Sequence, residues 1–185
     1  MRTGEAGIKL VAVIGADDRP LRCLIATIAL GRASVRDDVT QVVIDELRAA
    51  QSIVDRSVTV NREKEFIRQL VSSVVDSNEA DAIVIIGGVG VGPRDFTCEA
   101  VDELGDRRLE GFGEAYRRLL LEAGESYARV VTARATACVY NGSVVLALPR
   151  QTAPLVRRAM QDLVIPMLPE AVRIATGKRP LQLSH

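Results

Sequence analysis

The residues best suited to chemistry lie in one run, Gly87-Gly88-Val89-Gly90-Val91-Gly92-Pro93-Arg94-Asp95, directly after the apolar stretch Ala82 to Ile86. Four glycines within six residues (Gly87, Gly88, Gly90 and Gly92) let backbone N–H groups approach a ligand with no Cβ in the way. A loop of this kind feeding a helix N-terminus makes an anion cradle. One or two glycines would satisfy an ordinary strand-to-helix turn, so the density points to a ligand loop, though it is neither a Walker motif nor the G-x-G-x-x-G fingerprint. At its lip stand Arg94, whose planar fork suits phosphate, and Asp95. Asp95 has two compatible readings: it caps the following helix, or it holds Mg²⁺ or positions a phosphate beside the glycines. A second dense glycine turn, Gly111-Phe112-Gly113-Glu114, reads by physics alone as a loop with Glu114 in the first turn of a helix, where a carboxylate suits the helix dipole.

Other chemistries are excluded by composition. The single histidine is His185, the last residue, which leaves no Ser-His-Asp, Cys-His or His-based metal site. Catalysis would have to rest on carboxylates, backbone amides, arginine or a metal held by oxygen. Cys23, Cys98 and Cys138 are widely spaced and form no C-x-x-C, so zinc and dithiol redox sites are not expected; free thiols fit a reducing cytoplasm. Of the 24 basic residues only Lys9, Lys64 and Lys178 are lysines, so an anion site here would use arginine. The formal net charge of zero provides no field for nucleic acid or an anionic membrane. No run of about 18 apolar residues suggests a membrane span.

The elements that must position the glycine loop follow from periodicity. Cys23 to Leu30 is an apolar run, and Val39 to Ala50 has helical spacing after Asp37-Asp38. Ile53 to Val60 reads as a strand and Arg62 to Asp76 as a helix. Ala82 to Ile86, continuously apolar, reads as a strand buried on both faces, as in parallel sheets. Helices are expected over Thr97 to Leu104 and Gly113 to Ala123. Arg129 to Tyr140 and Ser143 to Leu148 flank Asn141-Gly142, a strong hairpin signal. Ala153 to Val164 is an amphipathic helix, after which Pro166 and Pro169 are expected to interrupt the pattern before a short helix near Ala171. Strand-helix alternation with one antiparallel hairpin implies a doubly wound, mostly parallel α/β sheet. With aromatics at 3% and no tryptophan, its core must be built from Val, Ile, Leu and Ala.

At the glycine turns the residues resemble those of the MoaB/MogA family of molybdopterin-binding proteins. Gly87 to Ala100 is similar to G-G-T-G-x-x-x-R-D-x-T-P-E-A, which includes Arg94, Asp95 and Thr97. Gly111-Phe112-Gly113-Glu114 resembles G-F-G-E, and Ala133-Arg134-Ala135-Thr136-Ala137 resembles S-R-A-x-A. Leu148-Pro149 falls where the family has a P-G-S loop, and Leu168-Pro169 resembles a closing L-P-H. The matches keep family order and spacing over roughly residues 22 to 176. The glycine run with Asp95-Phe96 also partly resembles the MoeA-type insertase domain, but Gly-Phe-Gly-Glu and Arg94-Asp95-x-Thr97 favour MoaB/MogA.

The resemblance implies a three-layer α/β/α fold, a homo-oligomer (trimer or dimer of trimers) and a cytoplasmic protein that binds molybdopterin and adenylylates its terminal phosphate with Mg-ATP. It places residues 1–21 in an N-terminal extension or extra strand, 22–176 in the binding domain and 177–185 in a tail. Asp95 would act in catalysis and hold Mg²⁺, with Asn61 at the position of a second family aspartate. Gly87, Gly88, Gly90, Gly92, Arg94, Thr97, Gly113, Glu114, Arg134 and Arg150 would bind substrate.

Departures from the pattern gather at the pocket. Asn61 cannot ionise and is a poor Mg²⁺ ligand. Val89 replaces a threonine, Ala133 a serine, Glu170 a histidine, and Arg150-Gln151-Thr152 a Gly-Ser turn; Ala29-Leu30 stands where Ser-Asp is frequent. Arg150 would either block the pocket or bind phosphate itself. Three readings follow: an adenylyltransferase, a binding module of the same fold whose catalysis has lapsed, and an oligomeric relic without ligand.

Overall fold

The computed structural model describes residues 19–29 and 38–177. Residues 1–18 of the expected N-terminal extension, the acidic Asp37, Leu30, His185 and most of the C-terminal tail lie outside them.

Six strands form one sheet in the order β2-β1-β3-β6-β5-β4. They are β1 (Cys23–Ile28), β2 (Ser57–Val60), β3 (Ala82–Ile86), β4 (Arg107–Arg108), β5 (Thr136–Tyr140) and β6 (Ser143–Leu148). β2, β1, β3 and β6 pair in parallel, while β5 and β4 add antiparallel pairs at one edge. The hairpin turn has φ of 45° at Asn141 and 82° at Gly142, the two positive angles that its sequence demands.

Every residue of β1, β3 and β6 is buried, as expected of strands covered on both faces. Alternate side chains enter separate cores. Ala82, Val84 and Ile86 join Val144, Leu146 and Leu148 on one face; Ile83 and Ile85 join Val145 and Ala147 on the other. The first core is roofed by α1 (Asp38–Ala49), α4 (Glu110–Glu122), α5 (Tyr127–Thr132), α6 (Ala153–Ala159) and α7 (Ile165–Ala175). The second is roofed by α2 (Lys64–Asp76) and α3 (Thr97–Leu104). The result is the three-layer α/β/α domain. Among the described residues no helix is long and apolar enough to cross a membrane.

Four local expectations need correction. The strand expected over Ile53 to Val60 is interrupted: Ile53 bridges Arg22, yet Ser57 pairs with Ile25, so β2 carries one extra residue between these contacts. That bulge, at the charged Asp55-Arg56, leaves a four-residue strand. Gly111-Phe112-Gly113-Glu114 is not a turn but the first turns of α4. Gly113 is there for packing, since a Cβ would sit 2.7 Å from the Ala135 carbonyl oxygen. The run from Arg129 divides into α5 and β5, with Ser126 capping α5 through a bond from Arg129 N. Finally, the prolines do not break the last helix. A π-helical turn, Met160–Val164, joins α6 to α7, and Ile165 N–H reaches back to the Met160 carbonyl. The widened turn directly before Pro166 relieves the clash and missing donor that would disrupt a regular helix, and Pro169 sits inside α7.

Candidate functional site

In the order β2-β1-β3 the strand sequence reverses direction around β1, and such switch points open a crevice at the C-terminal ends of parallel strands. A cleft of about 360 Å³ lies in this region. Its floor is Gly87, Gly88, Val89 and Gly90 after β3; Arg62 comes from the segment after β2, Pro149-Arg150-Gln151 from that after β6, and Arg129, Thr132 and Ala133 from α5 and its end. The volume lies within the range of small-ligand pockets. Three arginines and no Asp or Glu stand among the lining residues, a composition that suits an anion; Arg129 also donates to Glu125, outside the lining, at 2.9 Å.

The glycine loop is braced from below. Gly87 N–H donates to the Leu148 carbonyl (2.9 Å), and the Thr97 hydroxyl and N–H donate to the carbonyls of Gly87 and Gly88 (both 2.9 Å). Thr97 is fully buried. Gly88 has φ of 67°, and a Cβ there would fall 2.3 Å from Thr97 Oγ1, so only glycine fits. Arg134 donates to the Gly90 carbonyl (3.1 Å) and ion-pairs with Glu99. Burial works to raise the Glu99 carboxyl, but the bond from Arg134 outweighs it and holds the group below its ordinary value. Thr97 and Arg134 therefore shape the loop from behind.

Asp95 does not cap α3. The N-cap is Phe96, without a side-chain bond, and Asp95 Oδ2 instead accepts from Gly92 N–H at 3.1 Å. The loop wraps this carboxylate closely: a Cβ at Gly90 or Gly92 would fall 2.6 Å or 2.8 Å from Oδ2. Its other oxygen faces Arg62, Oδ1 to Nη2 3.7 Å.

Of the residues singled out from sequence, Gly87, Gly88, Gly90 and Arg150 line the cleft. Arg150 runs over the floor, with its Nε 3.9 Å from where a Gly87 Cβ would be, and it forms a wall without filling the space. Asn61 is exposed beside Arg62 but is not a lining residue. Gly92, Arg94 and Asp95 lie at the lip, Arg94 exposed. Gly113, buried, and Glu114, exposed, sit on α4 and do not line the cleft. Sequence reasoning missed Arg62, Arg129 and Thr132. Arg62 was findable as the neighbour of Asn61; Arg129 and Thr132 lie on a helix whose six residues show no clear period.

Mg²⁺ does not fit these residues. One oxygen of Asp95 is taken by the loop and the other faces a guanidinium, while the second expected position is an uncharged amide. Among the described residues no group of three or more His, Cys, Asp or Glu side chains could hold a metal. The cysteines offer no substitute: all three are buried, and burial pushes each thiol up to about 12.

Comparison with known proteins agrees with this architecture. A family model for a probable molybdopterin binding domain matches residues 12–170. The molybdenum cofactor biosynthesis protein B of Bacillus subtilis (strain 168) is 31% identical over 153 residues, which is 83% of this chain and 89% of the relative. A crystal structure of a molybdenum cofactor biosynthesis protein B has a TM-score of 0.77 at 29% identity and covers 86% of this chain and 98% of that chain. A shorter match, 35% identical over 86 residues (46% of this chain, 52% of the relative), is to a probable molybdopterin adenylyltransferase of Methanocaldococcus jannaschii. A domain model spanning most of the sequence, near full-length relatives and the shared α/β/α fold together establish that the chain belongs to the MoaB/MogA family of molybdopterin-binding domains.

Proposed function

We propose that this protein binds molybdopterin during molybdenum cofactor biosynthesis, with the terminal phosphate on the Gly87–Gly90 floor between Arg62, Arg129 and Arg150. The observation that carries this reading is the lining of the cleft: three arginines, with no Asp or Glu among the lining residues, beside a glycine loop at the sheet's switch point. Arginine forks hold phosphate oxygens in pairs, and glycine lets the backbone come close. In this reading the protein holds the pterin and presents it.

A second reading, adenylyl transfer from Mg-ATP to the bound pterin, is favoured by the partial match to the probable adenylyltransferase. Nucleotidyl chemistry depends mainly on positioning and electrostatics, so this reading requires no histidine. The environment of Asp95 supports binding more than transfer. A homo-oligomer, trimer or dimer of trimers, is part of the proposal and is measured by light scattering.

The deciding experiment is calorimetric titration with molybdopterin, followed by Mg-ATP and an assay for adenylylated pterin. Saturable binding without adenylylation is the expected result. Adenylylation would establish the second reading, and no binding would overturn both.

A further inference from the structure

The pairing of Asp95 with Arg62 inverts the electrostatics expected of this cleft. Asp95 is turned into the loop, whereas Arg62 is the member of the pair that lines the ligand space. A guanidinium has two edges. One edge of Arg62 faces Asp95, Nη2 to Oδ1 3.7 Å. The side chain nevertheless stays 32% exposed and lines the cleft. A phosphate oxygen entering the cleft would add a second acceptor to a guanidinium that already faces a carboxylate. A cation held between a protein carboxylate and a ligand phosphate is the arrangement a divalent metal ordinarily provides.

We propose that Arg62 takes the place of a divalent cation in this protein, so that the cleft binds a phosphorylated ligand without Mg²⁺ and Asp95 serves as a positioning residue for Arg62. The inference rests on the reading of the cleft as a phosphate site. It assigns to Arg62 the charge neutralisation that Asn61 and the enclosed Asp95 do not gain through a metal. It also explains why a nonionisable residue is compatible with the site: with an arginine as the cation, a second carboxylate is not required.

The test is binding of inorganic phosphate, followed by ³¹P line broadening, in EDTA and in Mg²⁺. Wild-type affinity should agree within about twofold in the two conditions, a difference well below 1 kcal/mol. Arg62→Ala should weaken binding about tenfold in EDTA. Arg62→Lys should recover part of the loss and remain insensitive to Mg²⁺. Arg118→Ala, on the exposed face of α4, should leave binding unchanged and controls for general charge. Asp95→Asn should weaken binding less than Arg62→Ala and remain metal-independent. Mn²⁺ spin resonance should detect no bound ion in the wild type with or without phosphate, whereas Asn61→Asp combined with Arg62→Ala should acquire one. Phosphate binding by the wild type only with Mg²⁺, bound Mn²⁺ in the wild type, or undiminished binding by Arg62→Ala would overturn the proposal while leaving the cleft as the phosphate site. No phosphate binding in either condition would overturn both.

Discussion

At the scale of single residues, the glycine loop is held by contacts too short to tolerate substitution. Gly88→Ala places a methyl group 2.3 Å from Thr97 Oγ1 at a φ of 67°. The left-handed backbone alone should cost about 1–3 kcal/mol, and the displaced Thr97 adds to it. Thermal denaturation should show a clearly lower Tm, and molybdopterin binding should be lost. Thr97→Val, similar in shape, removes the donor to the Gly87 carbonyl. Leaving that buried oxygen unsatisfied should cost about 1–3 kcal/mol, as urea unfolding would show, with weaker ligand binding in the folded protein. The glycines were legible in the sequence because their density exceeds the needs of a turn. The direction of Asp95 was not: a carboxylate before a helix ordinarily reads as a cap, and only the folded loop shows that it turns back to Gly92. Arg134, too, carries a motif resemblance, but its occupation by Glu99 and Gly90 is a three-dimensional fact.

At the scale of elements, long periodic segments could be read and short irregular ones could not. β3 was recognisable from five consecutive apolar residues, α2 from its stripe and the hairpin from Asn141-Gly142. β4 has two residues and α5 six, lengths at which neither a two-residue nor a 3.6-residue period is visible. The prolines misled for a different reason. Proline disfavours a regular helix, but nothing in the sequence announces the π-helical turn that accommodates Pro166. Because α7 is already helical through both positions, Pro166→Ala with Pro169→Ala should leave far-UV ellipticity essentially unchanged. A rise equivalent to a full helical turn would count against this account.

At the scale of the whole molecule, two observables report the integrity of the fold. Cys23, Cys98 and Cys138 are all buried and their thiols lie near 12, so they are protonated as well as inaccessible at neutral pH. An aromatic disulfide reagent should label none of them in the native protein and all of them in denaturant. Fast native labelling would contradict the burial described. Asp81, just before β3 and at the opposite end of the sheet from the cleft, is the second. Burial tends to raise its carboxyl, but hydrogen bonds from Arg19, at 2.7 Å, and from Arg22 bring it down from 3.8 to about 2. A depressed carboxyl stabilises the fold fully above its unfolded value and loses that contribution as pH falls from 3.8 to about 2. The contribution is on the order of 2 kcal/mol. The Tm difference between wild type and Asp81→Asn should therefore be largest above pH 3.8 and shrink across that window.

The bracing of the glycine loop also bears on how quickly a ligand is captured. Thr97, Leu148 and Arg134 hold the floor in place before anything arrives, so binding has no loop-closure step to wait for. The three arginines that line the cleft then favour the approach of an incoming dianion. Steering of this kind acts on encounter. Stopped-flow measurements should show an association rate constant that falls steeply with ionic strength, while the dissociation rate constant changes little.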